Sequence, residues 1–321
     1  MLGSLPGAGP LLVCRRARVF VEYHRSVLTL LAWQWRAVVT YAGVATLMVV
    51  VHRVGAQEWF TIPALPLTVM GAAIGIFVSF RTNSCYDRWW EGRRLWGQLV
   101  NTSRHFASQT LGYVDTTHAA APAIQRELVV RHIAYAHAMR CALREQPIAH
   151  DPGLLRALDA DERAALADEP NPCHALLHRQ VVAIAELRRI GAIDGFFLQQ
   201  LDRSLAVLLD VQGGCERIKK TPFPQSYGFV GTKIIGVYSA LLPLGMVASV
   251  GWLAIPIAVL VCLSFRLIDE VGDALEDPFS MQPLALPLHA ITTTIEIDLL
   301  RRLGARELPA TPAPDQQGVL M

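Results

Sequence analysis

The chain has 321 residues, of which 52% are apolar and only 17% are charged, and its formal net charge is +2. Soluble domains carry about 25% charged residues, so this composition indicates a membrane protein. The small net charge and the lack of a long basic run in the sequence exclude nucleic acid as an expected partner.

Several apolar stretches are long enough to cross a bilayer, which takes about 20 residues. After a segment covering residues 1–26, the first span is predicted at Val27–Val51 and the second at Ile62–Phe80. Residues 234–265 carry no charge and are too long for one span, and Gly251 and Pro256 interrupt them. We therefore expect two helices joined by a tight turn, with the third span starting near Tyr227. The prediction is four transmembrane helices, in residues 27–82 and 227–267.

Two further regions are expected outside the bilayer. Residues 83–226 show helical spacing of apolar residues, and Asn171 and Asp194 are placed to cap helices. Residues 268–321 form a C-terminal segment whose last 13 or so residues, from Pro309, lack a core-forming pattern and are expected to be disordered. Arginine and lysine flank the spans on the side of both termini and of residues 83–226. The positive-inside rule then makes that side cytoplasmic.

The second span carries one stripe of residues at i, i+4 and i+8, namely Ala72, Ile76 and Phe80. Small residues nearby, including Gly71 and Gly75, favour close packing of this helix against another one. The other interpretation is that the stripe lines a pore, where apolar rings gate by excluding water. Four spans enclose no pore, so this second interpretation requires a symmetric oligomer.

Acidic residues follow the fourth span. Asp269, Glu270 and Asp273 could attract ions near a permeation path, or they could simply form the charged start of a helix. After the second span, Glu91 is spaced to pair with Arg88 and Arg94 on its own helix.

The sequence shows no catalytic constellation and no nucleotide fingerprint, so we expect neither an enzyme nor a cofactor. His174 and His178 have a spacing that could ligate zinc, with Cys173 beside them, but no third ligand is evident. No metal site is therefore predicted, and a membrane-anchored metalloprotein remains a minor alternative.

The chain resembles the bestrophin family, in particular its prokaryotic members, from about residue 15 to residue 303. The motifs that carry this resemblance are Phe80-Arg81-Thr82-Asn83, Tyr86-Asp87-Arg88-Trp89-Trp90-Glu91, Leu95-Trp96-Gly97, Gly214-Cys215-Glu216-Arg217-Ile218, Thr221-Pro222-Phe223-Pro224 and Glu276-Asp277-Pro278-Phe279 with Ile295-Glu296. The resemblance implies an all-α membrane protein with four transmembrane helices and a helical cytosolic domain in each subunit of a homopentamer. It places a pore neck at Ala72, Ile76 and Phe80, and a cytosolic aperture at Phe223.

The sequence thus predicts a homopentameric ion channel of the bacterial inner membrane that passes small monovalent ions, with anions such as chloride preferred. Its expected partners are the permeant ions, the lipid bilayer and copies of itself. A sodium-selective channel of the same fold is the main alternative, and a secondary transporter is a lesser one because the sequence shows no internal repeat.

Overall fold

A computed structural model describes residues 34–54, 62–222, 224–282 and 284–314. These residues form α-helices and two short 3-10 turns, and they contain no β-strand. The helices are α1 (Trp35–Val54), α2 (Ala64–Tyr113), α3 (Ala121–Leu143), α4 (Pro152–Ala157), α5 (Ala160–Ala167), α6 (Pro172–Arg189), α7 (Gly195–Lys220), α8 (Gln225–Val250), α9 (Ala254–Glu276) and α10 (Leu288–Arg302). The all-helical class predicted from the sequence is confirmed.

Within the described residues, three stretches are long and apolar enough to cross a membrane, namely Trp35–Val54, Ala64–Tyr113 and Gly231–Glu276. The last of these is broken by the 3-10 turn Gly251–Leu253, which separates α8 from α9. Gly251 has φ 59°, a left-handed conformation that glycine adopts without the steric strain of a side chain. The predicted interruption of the long apolar run therefore lies at this turn.

The apolar bundle, as we call it, consists of α1, the first part of α2 up to Phe80, α8 and the first part of α9. Its core takes buried side chains from all four helices: Tyr41, Ala45, Leu67, Ile74, Val78, Ile235, Tyr238, Leu242, Ala258 and Cys262. Neighbouring helices approach closely where side chains are small. A Cβ atom on Gly71 would lie 2.6 Å from the hydroxyl of Tyr238, so a larger residue there would require the Tyr238 side chain to shift.

The remaining helices form a second unit, the polar helical domain, around a larger core. The second part of α2 packs there with α3, α6, α7 and α10, and the largest fully buried side chains include Trp96, Phe106 and Tyr135. The two predicted caps are confirmed, since Asn171 accepts a bond from the backbone of α6 and Asp194 accepts one from the backbone of α7.

A buried cluster of ionisable groups joins α3, α4 and α10 within this domain. His137 is 1% exposed, and its Nε2 lies 3.0 Å from a carboxylate oxygen of Glu296. Arg156 donates two bonds of 2.9 Å to the same carboxylate, and Arg140 pairs with Asp151. The charges compensate one another, which makes their burial tolerable.

Helix α2 connects the two units without a break. It has 50 residues, so it is about 75 Å long. It continues as one helix across the predicted boundary between residues 82 and 83. Helix α9 likewise continues across the predicted boundary after residue 267 and ends at Glu276. Residues 309–314 have no regular secondary structure, and the rest of the predicted disordered tail lies outside the described residues, as does the segment 1–26.

Candidate functional site

The three residues predicted for a pore neck lie on an open face of α2. Ala72 is exposed, and Ile76 and Phe80 are 59% and 69% exposed. Leucine, isoleucine and phenylalanine side chains normally gain about 1.5–3 kcal/mol by burial, so a row of them left uncovered marks a surface that meets lipid or another protein chain. Their role as a neck stays a prediction.

The opposite side of the same helix segment is packed. Ile74 and Val78 are buried, Gly71 faces Tyr238 of α8, and Gly75 faces Phe265 of α9. The small glycines therefore serve helix packing, while Ala72, Ile76 and Phe80 belong to a separate face. Close helix packing, the first interpretation from the sequence, therefore applies to the glycine side of α2. The pore-lining interpretation concerns the uncovered side.

One residue after Phe80, the side chain of Arg81 turns inward and is 2% exposed. Its Nη1 donates to a carboxylate oxygen of Asp269 at 2.5 Å, and its Nη2 pairs with Asp273 and lies 3.3 Å from Glu276. The carboxylates satisfy the two terminal nitrogens of the buried guanidinium and offset its charge, whereas its Nε has no hydrogen-bond partner among the described residues. Arg81 thus fastens α2 to α9 where the apolar bundle ends.

Three glycines lie against this cluster, and only Gly228 approaches its charged groups more closely than an ordinary van der Waals contact. A Cβ atom on Gly228 would lie 3.0 Å from the guanidinium of Arg81, and one on Gly231 would lie 3.4 Å from Asp269. A Cβ atom on Gly272 would be 3.7 Å from Arg81. Two neighbouring helices, α8 and α9, therefore leave a recess that matches the charged groups.

The acidic residues predicted to attract ions are engaged in these contacts. Asp269 is buried and also accepts a bond of 3.2 Å from Thr232, whereas the side chain of Asp273 is 56% exposed. Glu270 pairs with Arg266 at 2.9 Å and accepts a bond from Gln34. A role for these three carboxylates in attracting ions stays a prediction.

Sequence reasoning missed the pairing of Arg81 with residues 188 to 195 positions away. A usable signal exists, because Asp269, Asp273 and Glu276 recur at i, i+4 and i+7 and so share one face of α9. Three carboxylates on one helix face require a counter-charge from a neighbouring helix when that face is packed.

Beyond Arg81 on α2, Arg88 contacts the C-terminal ends of α7 and α9. Arg88 donates to the backbone carbonyls of Ile218, Thr221 and Glu276 at 2.8, 2.7 and 3.3 Å. These bonds fix the end of α7, from which the chain leads toward α8. Phe223, the predicted aperture residue, lies in that connection and outside the described residues.

The expected pairs of Glu91 with Arg88 and Arg94 are wrong. Glu91 instead pairs with Arg217 of α7 at 2.7 Å, and Arg88 is directed to carbonyl oxygens. The three residues do lie at i, i+3 spacing on one helix, but the carboxylate of Glu91 pairs with an arginine of the adjacent helix instead.

The histidine pair on α6 gains no third ligand in the structure. Within the described ranges, no three His, Cys, Asp or Glu side chains are grouped closely enough to hold a metal ion. Burial raises the pKa of the Cys173 thiol to about 12, so this side chain is protonated and is a poor metal ligand at neutral pH.

Known proteins share both the sequence pattern and the fold. A family model for bacterial and fungal bestrophin proteins matches residues 14–301. The voltage-dependent anion channel-forming protein YneE of Escherichia coli K12 is 34% identical over 251 residues, which cover 78% of this chain and 80% of that protein. A protein of the same description from Mesorhizobium japonicum is 32% identical over 248 residues, with 77% and 78% covered.

A solved structure of a bestrophin homologue from Klebsiella pneumoniae has 25% sequence identity and a TM-score of 0.80, and the match covers 85% of this chain and 99% of that one. The match therefore extends over both the apolar bundle and the polar helical domain. The chain belongs to the bestrophin family.

Proposed function

We propose that this chain is the subunit of a homopentameric ion channel that passes small monovalent ions, with anions such as chloride preferred. The observation that carries the proposal is the exposed apolar row of Ile76 and Phe80 on the face of α2 opposite its packed side. The names of the relatives, which are anion channel-forming proteins, support the same function and favour anions.

The physical reasoning starts from the single subunit. The described part of its apolar bundle packs around a core of its own, so the pore is expected to form between copies of the chain. Five copies of the open α2 face around one axis would give rings of Ala72, Ile76 and Phe80. Such rings bind ions weakly and act as a hydrophobic gate and a size filter.

Further parts of the proposal follow from the sequence. The N-terminal segment, residues 83–226 and the C-terminal segment lie in the cytoplasm, and residues 27–82 and 227–267 cross the inner membrane as four helices. Phe223 forms a second, cytosolic constriction. Asp269, Glu270 and Asp273 carry more negative charge than Arg81 and Arg266 neutralise. The remaining negative charge acts on ions in the path.

The test is conductance of the purified protein in planar bilayers. The double variant Ile76→Ala and Phe80→Ala should widen and wet the neck, and thereby raise the current. Leu260→Ala is the matched control, because Leu260 is an apolar residue of α9 that is 66% exposed. An unchanged current in the double variant, or an equal rise in the control, would remove these residues from the permeation path.

The reversal potential under a sodium chloride gradient decides the ion. A shift toward the chloride equilibrium potential supports the proposed anion channel, and a shift toward that of sodium supports the alternative. The mass of the purified particle in detergent tests the pentamer separately.

A further inference from the structure

The open face of α2 continues far beyond the proposed neck. A step of seven residues along an α-helix falls only about 20° short of two full turns. Phe80, Asp87 and Arg94 are spaced by such steps, so they lie within about 40° of one another on the helix surface. All three are exposed.

Most other charges near the end of the apolar bundle are already engaged. Arg81 is paired with carboxylates of α9, Glu91 with Arg217, and Arg88 with backbone carbonyls. The side chains of Asp87 and Arg94 differ from them, because neither makes an ion pair or a hydrogen bond with any of the described residues, and the same holds for the side chain of Arg93. Two uncompensated charges of opposite sign therefore follow Phe80 on one face.

We propose that Asp87 and Arg94 form two rings of opposite charge on the permeation path, and that these rings set the balance between anions and cations. This inference rests on the proposed function, since it takes the face that carries Phe80 to be turned toward the axis. The five Asp87 carboxylates hinder anions at the inner end of the neck, and the five Arg94 guanidinium groups collect anions farther out.

The distances rank the two rings. With a rise of 1.5 Å per residue, Asp87 lies about 10 Å along the helix from Phe80 and Arg94 about 20 Å. The screening length at physiological ionic strength is about 8 Å. The Asp87 ring therefore influences ions leaving the neck more strongly than the Arg94 ring does. Charged clefts change local ion concentrations by about tenfold or more, which sets the size of the expected effect.

The experiment measures the chloride-to-sodium permeability ratio of the full-length oligomer in planar bilayers. Asp87→Asn should raise the ratio by about tenfold, Arg94→Gln should lower it by a smaller factor, and the double variant should lie between them. Arg93→Gln is the matched control: Arg93 is exposed but lies about 100° around the helix from Arg94, so the ratio should stay at the wild-type value.

Two readouts separate charge from altered packing. At 1 M salt the screening length falls to about 3 Å, so the effect of Asp87→Asn should collapse. In Asp87→Cys, a positively charged thiol reagent should raise the ratio and a negatively charged one should restore the wild-type value. The described cysteines, Cys85, Cys141, Cys173, Cys215 and Cys262, are buried, and treating the wild type with the same reagents measures the background reaction, including that of Cys14 outside the described residues.

The outcomes are distinguishable. If the wild type conducts and the neck variant changes the current, but Asp87→Asn, Arg94→Gln and the modified cysteine all keep the wild-type ratio, this inference is overturned and the channel stands. If monodisperse oligomers of every variant carry no current, the proposed function fails and the inference fails with it.

Discussion

Replacing Arg81 by methionine should destabilise the protein more than removing any one of the carboxylates around it. Methionine keeps the length of the side chain but leaves Asp269 buried without its counter-charge. Removal of one partner from a buried ion pair costs about 3–5 kcal/mol. Because the side chain of Asp269 is 5% exposed while that of Asp273 is 56% exposed, most of this cost comes from Asp269.

The single acid variants should rank below Arg81→Met. In Asp269→Asn the guanidinium keeps Asp273 and Glu276, and the amide oxygen can still accept a bond, so about 1–2 kcal/mol should be lost. In Asp273→Asn the carboxylate that is lost is 56% exposed, and the buried guanidinium keeps Asp269 and Glu276, so about 1 kcal/mol should be lost.

Thermal unfolding of the purified protein in detergent measures this order. With an unfolding entropy of about 2.1 cal/mol/K per residue, the midpoint of a 321-residue chain shifts by about 1.5 °C for each kcal/mol. Arg81→Met should therefore lower the melting midpoint by about 4–7 °C. Arg93→Gln, which removes an exposed arginine of the same helix, should leave the midpoint unchanged. An unshifted midpoint for Arg81→Met, or an equal loss for Asp273→Asn, would refute the assigned role of the buried cluster.

Two further predictions concern the polar helical domain. A Cβ atom on Gly153 would overlap the ring of His137, so Gly153→Ala should lower the melting midpoint. Gly213 is a helix position where a Cβ atom would have no other atom within 4 Å, so Gly213→Ala should raise the free energy of unfolding by about 1 kcal/mol. Equal effects of the two substitutions would contradict the packing described for Gly153. Burial lowers the pKa of His132 from 6.5 to about 4. The folded state therefore resists protonation of His132. This contributes about 3 kcal/mol of stability, which is fully present above pH 6.5 and should be lost as the pH falls to 4. Unfolding measured from pH 7 to 4 should show a weaker pH dependence for His132→Gln, and an unchanged slope would contradict this origin.

Local sequence patterns predicted the features that depend on neighbours along the chain. The spacing of Ala72, Ile76 and Phe80 indicated a common helix face, and the structure leaves that face open. Glycine in an uncharged run predicted the break at Gly251, and the polar stretch after Phe80 was expected to continue as helix. Each of these depends on periodicity or on the conformational preference of a single residue type.

Contacts between distant segments were not predictable in the same way. Arg81 and Asp269 are 188 positions apart, and no local pattern pairs them. For Asp269, Glu270 and Asp273 the sequence leaves open both ion attraction and a charged helix start, because it does not reveal which side of α9 is packed. Glu91 was assigned partners on its own helix for the same reason, although Arg217 of another helix is the one it meets.

The uninterrupted length of α2 has a mechanical consequence for gating. From Ala64 the helix extends about 24 Å to Phe80 and about 74 Å to Tyr113. If the proposed neck widens by tilting α2 about its first turn, a movement of about 1 Å at Phe80 becomes about 3 Å at Tyr113. The helix then works as a lever, so a molecule that binds only the far end can bias the gate without touching the pore.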